Sequence, residues 1–413
     1  MAREDIVVGL DIGTSKIAVI IGNMWQGAPD KIEIIGVGKA PSEGLRKGVV
    51  VDIDLTTAAI REAVEKAELM AGVEIGSVYA GIAGGHITGQ TSNGLVAVSG
   101  DGHEITQADV ERAINAAQAI SIPVEREVLH VIPQGFVVDN QDGIKDPVGM
   151  HGVRLEAYVH IVTGAVASAQ NLVKSIYNAG LSVENIVLEP IASAEAVLTN
   201  DEKAQGVVLA DMGGGTSDIV VYKDGAVHHT AVLSLGGDHI TNDIAFLLKM
   251  TRHEAERLKR NRGCAWVELV DENEAIPIPT VGGVRRPRFI TQRDLAEIVQ
   301  ARMEETLSLI SQEIYNSQIP VPAGVVFTGG TSLLDGLLEF AEQTFPWPVR
   351  VGYPNPLKGL NEKVHSPIFA TGVGLVLYGA MERHSEPRRT FIKGTNLFEQ
   401  ILKRMKEWFQ DYF

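Results

Sequence analysis

A chain of 413 residues is too long for one compact core, so two or more domains are expected. Its 45% apolar and 21% charged residues are those of an ordinary globular protein, and a net charge of −16 argues against general nucleic-acid binding, because phosphates are repelled at long range. The single cysteine, Cys264, excludes an internal disulfide framework and points to a reducing compartment. Abundant glycine, 43 residues, with only 6% aromatics suits an α/β protein with many tight turns.

Taken in chain order, acids at Glu4 and Asp5 precede a short apolar run, Ile6 to Leu10, which reads as a strand and not as a leader peptide. It ends at Asp11-Ile-Gly-Thr-Ser-Lys16, and Ile17 to Ile21 returns as a β-hairpin. Lys31 to Val37 continues the sheet, and Asp54 to Ala71 carries apolar residues at helical spacing. From Gly84 to Thr163 short strands (Leu95 to Val98, Phe136 to Val138, Leu155 to Val162) alternate with one helix that Thr106 and Asp109 cap, which reads as a small α/β insertion with its own core. Gln170 to Ala179 reads as a helix closed by Gly180.

Gly206 to Ala210 is a buried-type strand ending at Asp211-Met-Gly-Gly-Gly-Thr-Ser-Asp218, and Ile219 to Tyr222 returns. The strand–Asp–Gly–Thr–strand unit therefore occurs twice, with Asp11 and Asp211 in corresponding places. Asp238 to Asn316 is helix-rich around one polar irregular stretch, and the basic run Arg257, Lys259, Arg260 and Arg262 reads as a solvated helix face. Val325 to Phe327 is a strand, with Gly329-Gly330 and a helix from Leu333 to Phe345 after it. Thr371 to Met381 is an apolar helix, and a polar linker follows His384. No apolar stretch reaches the length of a membrane span.

A glycine turn between strands leaves backbone N–H groups uncovered, which makes an anion cradle. An Asp at the end of the preceding strand repels phosphate, but it holds Mg²⁺ through water, and the metal bridges to phosphate oxygens. Two such loops facing each other would clamp a nucleotide's phosphates, with Thr14, Ser15, Thr216 and Ser217 adding hydroxyls and Lys16 a positive charge. A plain structural turn is the alternative for either loop alone, and for Gly329-Gly330.

The order Asp11-Ile-Gly-Thr, Glu189-Pro-Ile-Ala-Ser-Ala, Asp211-Met-Gly-Gly-Gly-Thr, Phe327-Thr-Gly-Gly and Ala370-Thr-Gly-Val-Gly-Leu resembles the five motifs of the actin-like ATPase superfamily. That resemblance covers residues 6 to about 381. It implies an actin/Hsp70-like α/β fold, two RNase H-like domains around a nucleotide cleft, binding ATP and Mg²⁺. Carried over residue by residue, Asp11 and Asp211 organise the metal, and Gly13, Thr14, Ser15, Lys16, Gly213, Gly214, Gly215 and Thr216 hold phosphates. Glu256 and Lys259 resemble an adenosine contact on a helix, Gly329 and Gly330 lie against the adenosine, and Glu189 stands where relatives position the attacking water. A helix N-terminal carboxylate is the alternative for Glu189.

Within the superfamily, Gly38-Lys-Ala-Pro-Ser-Glu-Gly44, His130-Val-Ile-Pro-Gln134, Gly143-Ile-Lys-Asp-Pro-Val-Gly149 and Leu295-Ala-Glu297 resemble the bacterial cell-division FtsA family. This implies subdomain 1A over 1–83 and 164–192, an inserted 1C over 84–163, 2A over 193–237, 2B over 238–316, and a closing 2A/1A segment over 317–383. It also implies protofilaments with further copies of the chain, recruitment of the FtsZ ring, and contact with later divisome proteins through 1C. The FtsZ C-terminal peptide would dock on 2B, where the family's basic positions fall on Arg288 and Arg302; ordinary exposed arginines are the alternative. ATP hydrolysis in the family is weak or disputed. An enzyme of the same fold, a small-molecule kinase, and a pilus-assembly adaptor are the competing readings.

After the linker at 384–395, residues 396–413 place Leu397, Phe398, Ile401, Leu402, Met405, Trp408, Phe409, Tyr412 and Phe413 on one helical stripe. With Arg388, Arg389 and Lys393 upstream, this reads as an amphipathic helix lying in the surface of an anionic membrane, which is the cytoplasmic face of the inner membrane at midcell if the resemblance holds. Packing on the body or dimerisation is the alternative.

Overall fold

The computed structural model describes residues 5–384, apart from 26–27, 101, 272–273 and 279–287. The linker and the amphipathic segment, with all the membrane-facing positions named above, lie outside the described residues.

The chain starts with a three-strand meander, β1 (Asp5–Ile12), β2 (Lys16–Trp25) and β3 (Ala28–Pro41), and a short hairpin, β4 (Leu45–Arg46) and β5 (Val49–Val50). Helix α1 (Ile53–Ala71) begins where the Asp52 carboxylate accepts from Leu55 N–H, and ends at Gly72, whose φ of 71° only glycine adopts readily. Strand β6 (Ser77–Ile82) then leads into the insertion: β7 (Thr88–Ala97), α2 (Gln107–Ala117), β8 (Arg126–Val138), β9 (Gln141–Ile144) and β10 (Arg154–Ala165). The expected Thr106–Asp109 capping box is present on α2. The insertion's four antiparallel strands, in the order β7-β10-β8-β9, pack on α2 around a separate core that includes Ile114, Phe136, Leu155 and Ile161.

The first domain resumes with α3 (Val166–Asn178), β11 (Ser182–Leu188) and α4 (Glu189–Val197). After α5 (Asn200–Gln205), the second domain repeats the opening meander as β12 (Val207–Met212), β13 (Ser217–Lys223) and β14 (Ala226–Leu233). Helices α6 (Gly237–Leu248) and α7 (Arg252–Arg262), the hairpin β15 (Ala275–Ile278) and β16 (Arg288–Thr291), and the long α8 (Gln292–Ser317) follow. Then come β17 (Val325–Thr328), α9 (Leu337–Thr344), β18 (Val349–Val351), β19 (Lys358–Gly359), α10 (Asn361–Val364) and α11 (Ala370–His384).

Two sheets built alike carry the two domains. In the first, β11-β6-β1-β2-β3-β19, the central β1 runs antiparallel to β2 and parallel to β6. In the second, β14-β13-β12-β17-β18, β12 runs antiparallel to β13 and parallel to β17. Both central strands are buried and read as unbroken apolar runs, as strands covered on both faces do. The chain recrosses late: β19 joins the first sheet beside β3, and α11 packs on α4 and β1. The crossing of α4 and α11 is close enough that a Cβ on Gly374 would stand 1.7 Å from the Ala192 carbonyl oxygen, so only glycine fits there.

Two local expectations are corrected. The helix expected from Leu333 to Phe345 is split: Gly330–Leu333 is a 3-10 turn, and α9 starts only at Leu337, after Gly336 with φ 73°. The basic run on α7 is not wholly a solvated face, because Lys259 turns inward, while Arg257, Arg260 and Arg262 stay exposed.

Candidate functional site

The ends of β1 and β12 face each other across a cavity of about 420 Å³. Asp11, Ile12, Gly13, Thr14, Ser15 and Lys16 line it from the first domain, and Asp211, Gly213, Gly214, Gly215, Thr216 and Asp218 from the second. The two turns close with the same bond: Gly13 N–H donates to the Lys16 carbonyl (3.0 Å) and Gly213 N–H to the Thr216 carbonyl (2.9 Å). The loops approach closely enough that a Cβ on Gly214 would fall 1.9 Å from Ser15 Oγ, and one on Gly215 would fall 2.5 Å from Thr14 Oγ1. Backbone without side chains is therefore a steric requirement here, and it is also what an anion cradle needs.

Three buried carboxyl groups, Asp11, Asp211 and Asp218, and the half-buried Glu189 converge on this cavity. Asp11 is ion-paired with Lys16. Among the described residues Asp211 has no cation bonded to it. It accepts instead from the hydroxyls of Ser193 on α4 (2.5 Å) and Thr371 on α11 (3.1 Å), and burial raises its pKa above the usual carboxylate range. Asp218 lies directly across the β12–β13 ladder from Asp211. It accepts from Thr216 Oγ1 (2.8 Å), its other oxygen has no partner among the described residues, and burial pushes its pKa up to about 7. Glu189, at the first turn of α4, is raised well above the carboxylate range by burial and then by Asp11, Asp218 and Asp211. A helix N-terminus would lower its pKa, so burial and like charge prevail over the dipole.

This surplus of buried acid, with one oxygen of Asp218 unpartnered, fits a bound cation. Among the described residues no three His, Cys, Asp or Glu side chains are placed to coordinate a metal directly. The donor set thus suits a hydrated Mg²⁺ held through its waters by Asp11 and Asp211.

At the other end of the cavity Glu256 and Lys259 of α7 form an ion pair (2.7 Å). Lys259 Nζ also donates to the Gly237 carbonyl (2.9 Å) and to Thr241 Oγ1 (2.8 Å), which ties α7 to the start of α6. Gly329 (φ 82°), Gly330 and Thr331 form the facing wall, and Thr331 Oγ1 donates to the Gly213 carbonyl (2.8 Å). The expected phosphate, metal and adenosine positions thus line one continuous cavity with Glu189.

Arg288 and Arg302 lie elsewhere. Arg302 pairs with Asp243 of α6 (2.7 Å), and Arg288 donates to the Leu248 carbonyl at the end of that helix (2.9 Å). Each is engaged within its own subdomain, beside exposed Phe246, Leu247 and Phe289. Cys264 is buried and donates to the Trp266 carbonyl, with its thiol pKa raised by burial.

Sequence reasoning gave no role to Ser193, Thr371 or Asp218. The first two stand inside recognised motifs, but that both reach Asp211 follows only from the α4–α11 crossing. Asp218 is placed by the register of β13, which continues as the apolar run Ile219 to Tyr222 and hides a buried acid at its start.

Twin sheets with facing Asp–Gly loops, joined by two crossing helices, define an actin-like ATPase fold. Solved structures agree on that fold: a type IV pilus PilM–PilN complex aligns with TM-score 0.65 at 17% identity over 91% of this chain and 98% of that one. MreB5 of Spiroplasma citri bound to ADP aligns with TM-score 0.56 at 12% identity over 92% and 98%. A family model described as "Cell division protein FtsA" matches residues 208–374, and one for the SHS2 domain inserted in FtsA matches 84–163. The curated cell division protein FtsA of Pseudomonas aeruginosa is 44% identical over 98% of both chains, and that of Escherichia coli 38% over 99% of this chain and 98% of that one. The chain belongs to the FtsA family of cell-division proteins.

Proposed function

We propose that this protein binds ATP with Mg²⁺ between its two domains, polymerises on the inner membrane at midcell, and tethers the FtsZ ring there while recruiting later divisome proteins through the inserted subdomain. The observation that carries the nucleotide part is the pair of facing glycine loops with Asp11 and Asp211 behind them. MreB5 of Spiroplasma citri, whose fold this chain shares, is described bound to ADP and to AMPPNP.

In this reading the loop backbones and Lys16 hold the β- and γ-phosphates. Asp11 and Asp211 orient the waters of Mg²⁺, and Glu256, Lys259, Gly329 and Gly330 enclose the adenosine. The bound metal supplies charge that neutralises the phosphates. Glu189, whose pKa is raised by burial and by Asp11, Asp218 and Asp211, stands where it would position the attacking water.

Membrane attachment rests on the stripe of Leu397, Phe398, Ile401, Leu402, Met405, Trp408, Phe409 and Phe413. Burying large aromatics supplies most of the affinity, and Arg388, Arg389 and Lys393 add about 1 kcal/mol each near anionic lipid. One such anchor is reversible, so polymerisation strengthens attachment by avidity. The FtsZ C-terminal peptide docks on the second domain where Arg288 and Arg302 lie near exposed Phe246 and Phe289.

Co-sedimentation with anionic liposomes and ATP tests the adaptor reading. The full chain is expected to pellet, and a chain ending at Arg389 to stay in the supernatant. Equal behaviour of the two would make the terminal segment a packing element and remove the tether.

A further inference from the structure

Three cations line the cavity that the repeated loop motif does not supply; Lys259 is paired with Glu256, which leaves one from each domain. Lys39 is on β3 and Arg260 on α7. The β1–β2 ladder pairs Asp11 with Ala18, and the β2–β3 ladder pairs Ala18 with Lys39. These three residues therefore form one row across the sheet and point to the same face, with Lys39 about 10 Å from Asp11. Ala18 between them is small and fully buried, so no side chain rises to separate Lys39 from the loop. Lys16 stands two residues from Ala18 on the same face, ion-paired with Asp11.

Neither Lys39 nor Arg260 forms a salt bridge among the described residues. In a chain with 52 acidic and 36 basic residues, surface cations have acids to spare. Yet the charges felt by Lys39 are cationic: burial, then Lys16, then Arg260 hold its ammonium below the ordinary lysine range. Cations gathered this way repel one another, and Glu256, the acid that feels Arg260, is already paired with Lys259. Their arrangement becomes favourable when an anion sits between them.

We propose that Lys39 and Arg260 are the two arms of a clamp on the nucleotide's polyphosphate, and that their closing on it draws the domains together. The clamp rests on the reading of the cavity as a nucleotide site. Lysine serves as a point charge and arginine as a fork, so the contact answers to the number of phosphate charges and not to the base. Both side chains are exposed at the cavity mouth, and neither supports the fold, so removing them leaves a folded protein.

Calorimetric titration of the full chain with adenosine, ADP and ATP in the presence of Mg²⁺ separates the possibilities. Lys39→Ala and Arg260→Ala each weaken ATP about tenfold and ADP less, leave adenosine unchanged, and lose their effect at high salt. Lys39→Arg keeps the affinity for ATP. Unchanged ATP affinity in both alanine variants overturns the clamp alone, and so does an equal loss for adenosine and ATP. A wild-type chain that binds neither nucleotide overturns the reading of the cavity, and the clamp with it.

Discussion

The two Asp–Gly hairpins share a backbone and differ in charge. Each closes with a glycine N–H on the carbonyl five residues after its aspartate, and each pairs that aspartate with the residue seven further on. In the first hairpin those two places hold Lys16 and Ala18; in the second they hold Thr216 and Asp218. Asp11 is consequently neutralised by a cation on its own loop. Asp211 faces another acid and relies on neutral hydroxyls brought by two helices from elsewhere in the chain. A repeat fixes where the backbone goes, and the side chains at two equivalent positions decide whether the site is salt-bridged or proton-holding.

The largest effect expected from disturbing this contrast is at Asp218. Its folded pKa of about 7 lies above its usual 3.8, so the folded state keeps a proton that the unfolded chain has lost. Stability from this group is full below about pH 4 and falls as pH rises through 7. Asp218→Asn removes that dependence. The variant is expected to exceed wild type by about 4 kcal/mol at pH 8 and by little at pH 4, read from urea melts of the ligand-free protein. Parallel pH profiles for the two proteins would mean that Asp218 is ionised in the fold.

Next comes Lys16→Gln, which strands the buried Asp11 carboxylate. A loss of about 2 kcal/mol is expected, less than for a fully buried pair because Lys16 is partly open to water. In Lys16→Gln/Asp11→Asn most of that loss returns. If the double variant is no more stable than the single one, the pair does not neutralise Asp11 as described. The smallest effect is at Thr371→Ala, which removes one of two hydroxyls from Asp211 and costs about 1 kcal/mol. Destabilisation far above that would show Thr371 to be needed for the helix crossing, not only for charge.

Much was legible in the sequence. The repeated strand–Asp–Gly–Thr–strand unit gave both central hairpins, because period and turn chemistry are local. The Thr106–Asp109 cap and the separate texture from 84 to 163 gave the insertion for the same reason. The helix expected from Leu333 failed because apolar spacing does not reveal that Gly336 turns to positive φ and resets the start. Lys259 was read as part of a solvated face because helical periodicity distinguishes faces but does not say that the start of α6 stands opposite one of them.

Sequence by itself thus determined the hairpins, the cradle-forming glycines and the acids beside them, since each depends on residues within a few positions of one another. Only the tertiary structure decided what surrounds those acids. Ser193 and Thr371 reach Asp211 from 18 and 160 residues away, and they do so because Gly374 lets α11 sit against the backbone of α4. Desolvation and charge depend on everything within several ångströms whatever its place in the chain, so the protonation of Asp218 and Glu189 is a property of the assembled cavity.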